Sequence, residues 1–468
     1  MSYFVLFIRY YNYMMIGYFL IICTFYFILN IIAFRTIREY TRKISHIELK
    51  KIFRFSNTKP ISVVVPAYNE ESTIIESTLA FLQLEYPDFQ IIVVNDGSKD
   101  DTLNRLITHF SMKKVPYGII GKLTTKPIRG IYMSSQVPSL IVLDKENGNG
   151  KADAINAGVN IAKNPLICVV DADTILEHDS LLKIVQPFME DENVIAVGGI
   201  IRIVNGCKVK KGRVLDISLP KSWLGKFQVV EYLRAFLFGR TGFDKFNAML
   251  IISGAFGCFK REALIKVGGY RSDSVGEDME LVIRMHEIIR KDNPKARITF
   301  VPDPVCWTLV PENFRDLRSQ RIRWQKGAVQ SILWHKKLLL NLKYGWVSLL
   351  AFPYFIMFEI LAPIIEFIGY IIFILSCILG IANISFAVLF LTVAVLYGIV
   401  LSVFSVILEE MSFRKYPKVE HLFILFLASI LENFGYRQLT TWWRFQAMIQ
   451  YLFGARSWGK MEKKGFTV

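Results

Sequence analysis

Residues 13–34, YMMIGYFLIICTFYFILNIIAF, carry no charged side chain and are long enough to cross a bilayer as one helix. No basic cluster leads into the run and no small-residue cleavage site ends it, so a retained span is expected rather than a signal peptide. The C-terminal third is apolar again. Residues 346–380 exceed what one span needs and are interrupted by Pro353 and Pro363, and 383–407 form a second run. The stretch 421–436 is short and contains Glu432 and Asn433, which favours a re-entrant or interfacial segment over a full crossing. Three or four spans are expected in all. A hydrophobic content of 53% with only 21% charged residues excludes disorder and fits a wholly soluble protein poorly.

The net charge of +16 is concentrated in three blocks: 35–54 at +5, 315–343 at +7 and 437–468 at +5. Each block lies beside an apolar segment, the pattern of a cytoplasmic membrane face rather than of a nucleic-acid reading surface. The first block puts the N-terminus outside and the following residues in the cytoplasm. Its cysteines, Cys23, Cys168, Cys207, Cys258, Cys306 and Cys377, form no CxxC pair, so neither a zinc site nor a disulfide framework is expected. Cys168 reads as a buried hydrophobe in a reducing compartment.

Between about 58 and 310 short β-rich runs alternate with amphipathic segments, the pattern of an α/β domain. Strands are expected at Ser62–Pro66, Gln90–Asn95, Leu166–Val170, Val194–Gly198 and Arg297–Val301. Helices should follow Asn69, Asp100, Gly150, Asp179 and Glu277, with Asn69 as an N-cap ahead of Glu70 and Glu71. Gly268 and Gly269 read as a helix stop. The aromatic stretch 223–248 suits either a core helix or a helix lying in the membrane plane.

Acidic residues recur where strands end, at the edge where open α/β sheets bind ligands. Asp96 ends one strand, Asp171 and Asp173 end another as Asp-Ala-Asp, and Glu277-Asp278 precede a helix. Singly, each has an ordinary reading as turn or capping chemistry. Together they suit a diphosphate-activated donor. The paired carboxylates can hold a hard divalent cation, a separate carboxylate can act as general base, and Asp96 can accept from a nucleotide base.

The ordered motifs SVVVPAYNEE (62–71), VVNDGSKDDT (93–102), GKADAINAG (150–158), VVDADT (169–174), SGAFGCFKREAL (253–264), GEDMEL (276–281) and QRIRW (320–324) carry a resemblance. The chain resembles the membrane-integrated family 2 glycosyltransferases, the processive group of cellulose, chitin, hyaluronan and poly-N-acetylglucosamine synthases, over about 60–345. The resemblance implies a cytosolic GT-A (Rossmann-like) α/β domain flanked by transmembrane helices. Its divisions are an N-terminal transmembrane helix (1–34), a basic cytosolic linker (35–57), the catalytic domain (58–312), an interfacial QxxRW region (313–345), a C-terminal transmembrane region (346–440) and a basic amphipathic tail (441–468).

The resemblance also implies roles. Ala67, Asn69, Asp96, Lys151, Asp153, Asp171 and Arg323 would contact the nucleotide and donor sugar of a UDP-sugar. Asp173, with Asp171, would coordinate Mg²⁺ or Mn²⁺. Asp278, beside Glu277, would be the catalytic base for an inverting displacement. Ser253, Gly254, Gln320 and Trp324 would face the acceptor. An indole face suits a pyranose ring and a guanidinium suits a diphosphate, which supports Trp324 and Arg323 without the resemblance.

The expected activity is extension, and export, of an extracellular polysaccharide of N-acetylglucosamine or glucose by a multi-pass plasma-membrane enzyme. Transfer of one or a few sugars to a lipid-linked acceptor is the alternative, and an inert nucleotide-sugar-binding scaffold is the alternative of another class. Membrane lipid, donor and acceptor are the expected partners; nucleic acid is not, and an accessory membrane subunit or a homo-oligomer is left open. Glu359 and Glu366, seven apart in an apolar run, share a helix face that either lines a glycan path or pairs with another helix.

Overall fold

The computed structural model describes residues 2–46, 58–116, 118, 121–381, 384–454 and 465–466. All of the basic segment 47–57 and most of the tail beyond 454 therefore lie outside the described residues, and with them the expected amphipathic character of the tail.

The described residues hold twelve strands: β1 (Ile61–Ala67), β2 (Phe89–Asn95), β3 (Lys113–Val115), β4 (Ile128–Met133), β5 (Leu140–Lys145), β6 (Leu166–Val170), β7 (Thr174–Leu176), β8 (Val194–Ile203), β9 (Lys208–Lys210), β10 (Arg213–Asp216), β11 (Phe256–Lys260) and β12 (Arg297–Thr308). Ten of them form one mixed sheet in the order β3-β4-β5-β2-β1-β6-β11-β8-β12-β7, while β9 and β10 make a separate hairpin. Strand β1 (ISVVVPA) is buried along its whole length, as a parallel strand covered on both faces must be. It pairs in parallel with β2 on one side and β6 on the other, and β2 pairs in parallel with β5. The carboxyl ends of β5, β2, β1 and β6 therefore lie along one rim, with the sheet order reversing direction at β1. Ligands of open α/β sheets sit at such a reversal.

All five expected strands exist, and β8 and β12 run further than their apolar cores suggested. Those two pair with each other through several register shifts, which continue the ladder past Pro304. Strand β5, the antiparallel strands β3, β4, β7 and β11 and the hairpin β9–β10 escaped the sequence reading. Asn69 is not an N-cap. It sits at φ +53°, and the helix starts only at Ile74 after Thr73, because the intervening turn is tied to the loop after β2 rather than wound into the helix. The helix Lys151–Ile161 starts after Gly150, and Ser180–Glu190 after Asp179. Gly268 and Gly269 both take positive φ just past the helix Arg261–Lys266, the left-handed conformation of a helix end.

The helix Ser2–His46 is long and apolar enough to cross a membrane, as is the helical stretch Val347–Ile378. A third candidate is the pair Val419–Leu431 and Tyr436–Leu452, bent by 56° as either a broken span or a re-entrant loop. Residues 384–412 are helical throughout, with a π-helical section at Thr392–Leu396. The first helix packs against Ala362–Ile378, where Asn12 Nδ2 donates to Ser376 Oγ (2.9 Å). Lower down, its Leu29, Ala33 and Ile37 enter the main core of the α/β body. The stretch 223–248 packs as a buried element: Leu224, Val229, Val230, Leu233, Phe236 and Leu237 are all inside. Its Arg234 pairs with Glu432, which explains the carboxylate in that short apolar segment.

Candidate functional site

The rim of the sheet opens into a cavity of about 510 Å³. It is lined by Lys151, Asp171, Asp173, Ser253, Gly254, Glu277, Asp278, Gln320, Arg323 and Trp324, ten of the fourteen site residues expected from the sequence. Each arrives by simple local geometry. Asp171 and Asp173 follow β6. Ser253 and Gly254 precede β11. Glu277 and Asp278 open the helix Glu277–Asp292, where carboxylates favour the positive end of the dipole. Gln320, Arg323 and Trp324 stand at i, i+3 and i+4 on the helix Phe314–Trp334, and so on one face. Asn313 caps that helix, accepting from Asp316 N at 2.8 Å.

The two helices meet at a pair of glycines. A Cβ on Gly327 would lie 2.7 Å from Gly276 Cα, and one on Gly276 would lie 2.8 Å from Gly327 Cα. Only glycine at both positions lets the backbones come this close. The contact brings the face of Arg323 and Trp324 to the end of the helix that carries Glu277 and Asp278. Gln330 adds a lock, accepting from Val275 N at 2.8 Å.

Within the cavity, Lys151 Nζ lies 3.0 Å from Asp171 and 3.7 Å from Glu277. Burial alone would lower the Lys151 pKa, but Asp171, Glu277 and Asp278 more than reverse this and hold it above the ordinary lysine value. Burial raises the Glu277 carboxyl, with Lys151 and Arg323 opposing and Asp278 adding to it. Asp278 Oδ2 accepts from Gly254 N at 3.2 Å. A Cβ on Gly254 would fall 2.3 Å from Lys151 Nζ, so this glycine makes room for the ammonium. Trp324 is 42% exposed, with the Arg321 guanidinium 4.5 Å from its ring centroid. Arg321 itself is buried against Glu231 (2.8 Å). Gln320 is buried and its Oε1 has no hydrogen-bond partner among the described residues.

The other four expected residues form a neighbouring cluster outside the cavity lining. Asp96 N donates to Ala67 O (2.9 Å), Asn69 N donates to Ser98 Oγ (3.0 Å), and Lys99 N donates to Asn69 Oδ1 (2.8 Å). These bonds tie the loops after β1 and β2 together. Asp153 faces Lys145 at 2.5 Å, and Lys145 faces Asp96 at 2.6 Å. Burial raises the Asp96 carboxyl, and the Lys145 ammonium pulls it back.

Two residues of this region were missed from sequence. Lys145 ends β5, and the signal lay in LIVLDK followed by an Asn/Gly turn. Arg240 lines the cavity from a π-helical section, Leu233–Arg240, with its guanidinium 3.9 Å from the Phe236 ring centroid. Burial lowers its pKa to about 10. The π-helical winding breaks the 3.6-residue period, so no sequence period pointed to it.

Among the described residues, no group of three or more His, Cys, Asp or Glu side chains is gathered so as to hold a metal ion. A hard divalent cation that keeps waters and takes phosphate oxygens needs only one or two carboxylates from protein. Asp171 and Asp173, one residue apart on the cavity wall, fit that smaller requirement.

Toward the apolar C-terminal helices the cavity continues to Phe355, Glu359 and Arg444. Glu359 pairs with Arg444 at 2.9 Å, and Arg444 Nε donates to Gln325 Oε1 at 2.8 Å. Glu366 accepts from Thr441 Oγ1 at 3.1 Å. Both membrane carboxylates thus have partners on the helix Tyr436–Leu452, and Glu359 also lines the cavity.

Residues 166–431, more than half of the chain, match the family described as glycosyl transferase family group 2, and residues 62–117 match glycosyl transferase family 2. The chain belongs to glycosyltransferase family 2. This glycosyltransferase is 29% identical over 324 residues to a poly-beta-1,6-N-acetyl-D-glucosamine synthase of Staphylococcus epidermidis, covering 69% of this chain and 66% of the relative. It is 29% identical over 322 residues to the synthase of the same name from Staphylococcus aureus strain COL, covering 68% and 66%. The match thus spans just under two thirds of the length of these relatives. Among solved structures, the mannosyltransferase PcManGT from Pyrobaculum calidifontis, in complex with GDP-Man and Mn²⁺, superposes with a TM-score of 0.52 at 18% identity, covering 89% of this chain and 99% of that one. That likeness, with the mixed sheet, shows a GT-A-like fold.

Proposed function

We propose that this protein is a multi-pass membrane enzyme that transfers a sugar from a UDP-sugar, with inversion, to a growing polysaccharide, and carries the product out of the cytoplasm. N-acetylglucosamine is the proposed sugar, from the names of the 29% identical relatives, with glucose as the other candidate. The observation that carries the reading is one continuous cavity. It gathers the Asp171/Asp173 pair, the Glu277/Asp278 pair and the Gln320/Arg323/Trp324 face, then continues to Glu359 and Arg444 among the membrane helices.

In this reading Ala67, Asn69 and Asp96 bind the nucleotide, Lys151 and Arg323 bind the diphosphate, and Asp153 supports the base pocket from behind. Asp171 and Asp173 would hold Mg²⁺ or Mn²⁺. When bound, such a cation supplies positive charge to the leaving diphosphate. Asp278 takes the proton of the acceptor hydroxyl as its oxygen attacks the anomeric carbon from the side opposite the diphosphate. Gly254 N holds Asp278 Oδ2 for that task. One face of the Trp324 indole is covered by Arg321, leaving the other for the acceptor's terminal sugar, and the orphaned Gln320 Oε1 can accept from a sugar hydroxyl. The α/β body is assigned to the cytoplasm and the amino terminus to the outside, following the basic blocks.

The test is UDP release by purified full-length protein over a panel of UDP-sugars with Mg²⁺ or Mn²⁺, followed by product sizing. A long polymer from UDP-N-acetylglucosamine supports the reading. A product that stops at one sugar on a lipid replaces the polymerase with a single-addition transferase.

A further inference from the structure

Lys145 is a fully buried charge beside the site, with no side-chain exposure. Its ammonium donates to Asp96 Oδ1 at 2.6 Å and to Glu146 O at 2.5 Å, and forms an ion pair with Asp153 Oδ2 at 2.5 Å. Asp153 is further occupied by Lys126 N, which approaches Oδ1 at 3.1 Å and Oδ2 at 3.3 Å. It therefore turns toward protein donors and not toward the cavity. Asp96 Oδ1 also accepts from Gly148 N at 3.0 Å, while Asn147 Nδ2 holds the Asp96 carbonyl at 2.7 Å. Asp96 Oδ2 receives no hydrogen bond among the described residues. One carboxylate is thus saturated from behind, and the other has one oxygen occupied and one open.

A buried group of two carboxylates and one ammonium retains a net negative charge and is a poor means of stabilising a fold. It is a good means of fixing one carboxylate oxygen in place and in its charged, accepting form. We propose that Lys145 is a positioning residue for the donor nucleotide, holding Asp96 so that its open oxygen accepts from a ring N–H of the base. The proposal rests on the UDP-sugar reading above and adds a selectivity to it. A base with a ring N–H, such as uracil, is accepted; cytosine, with a ring acceptor at the same place, is refused. Burial acts on Asp96 against Lys145, and Asp153 is the other charge facing it. Without the ammonium, burial and Asp153 push the Asp96 carboxyl further up, toward the protonated form that presents a donor and reverses the preference.

The experiment measures binding of UDP and of CDP, with Mg²⁺, to full-length protein in nanodiscs for wild type, Lys145→Met, Lys145→Arg and Asp96→Asn. Wild type should prefer UDP. Lys145→Met should lose about tenfold or more of the UDP:CDP ratio, the scale of one hydrogen bond to a charged group. It should regain UDP binding as pH rises, and Lys145→Arg should keep most of the ratio. Removing the ammonium leaves two buried carboxylates unpaired, so the double variant Lys145→Met/Asp153→Asn, which keeps the wild-type net charge, must show the same loss. A wild-type ratio in either folded variant overturns the proposal, as does a wild type that binds both nucleotides equally. If Asp96→Asn weakens UDP binding while Lys145→Met keeps the wild-type ratio, the Lys145 inference alone fails. If Asp96→Asn leaves UDP binding unchanged, the nucleotide reading of Asp96 fails with it.

Discussion

The cavity wall carries a cluster of carboxylates with one lysine among them. Lys151 sits among Asp171, Glu277 and Asp278 and is kept protonated by them. One ammonium offsets only part of the charge of these three carboxylates, and in the proposed mechanism it also meets the donor diphosphate. Asp278 is the residue on which the proposed mechanism depends. Asp278→Asn keeps the side-chain shape and can still accept from Gly254 N, but cannot take a proton. UDP release should fall by about 10²- to 10⁴-fold, the usual contribution of a general base, with the melting temperature unchanged. A variant that releases UDP at the wild-type rate would remove Asp278 from the mechanism.

The elements hold these residues in register through close backbone contacts rather than through many polar bonds. Gly327→Val places new carbon against Gly276 and should cost about 1–3 kcal/mol in stability by overpacking. Because it displaces the helix carrying Arg323 and Trp324, turnover should fall further than the melting temperature implies; wild-type kcat with a lowered melting temperature would show that the contact serves stability alone. The helix Glu277–Asp292 also carries His286, buried with its Nε2 2.7 Å from Met249 O. Burial and then Arg290 lower its pKa to about 3 from 6.5. The sign follows: the unfolded chain takes up a proton below 6.5 and the folded protein does not. This contribution is complete above pH 6.5 and declines by about 1.4 kcal/mol per pH unit down to about 3. Denaturant unfolding of wild type against His286→Gln between pH 7 and 5 should show that slope only in wild type.

At this scale the parallel strands β1, β2 and β6 were readable because burial on both faces demands continuous apolar runs. So were the carboxylates at their ends. The antiparallel strand β11, FGCFK, has no such run, and β7 is only three residues long. Lys145 was missed with its strand β5, although that strand is parallel, buried and carries the apolar run LIVL. The Asn69 cap failed because capping residues and tight-turn residues are the same types, and long-range pairing to Ser98 and Lys99 decided between them.

Over the whole molecule, the first helix joins an exposed apolar surface to the α/β body: its start exposes Phe4, Phe7 and Tyr10, while Leu29 and Ala33 lie in the main hydrophobic core. The network of Gln325, Glu359 and Arg444 ties the helix of the QRIRW motif to the membrane helices at the far end of the cavity. If the product leaves by this route, Glu359→Gln should leave initial UDP release within a few-fold of wild type and shorten the product. Unchanged product length in the folded variant would assign the pair to helix packing alone. The central claim is a UDP-sugar polymerase whose base is Asp278. The most direct measurement is UDP release and product size from full-length protein given UDP-N-acetylglucosamine and Mg²⁺ or Mn²⁺, side by side with Asp278→Asn. The account predicts UDP release coupled to a long glycan in wild type and neither in the variant. The absence of UDP release from every UDP-sugar tried, or equal release by the variant, would contradict it.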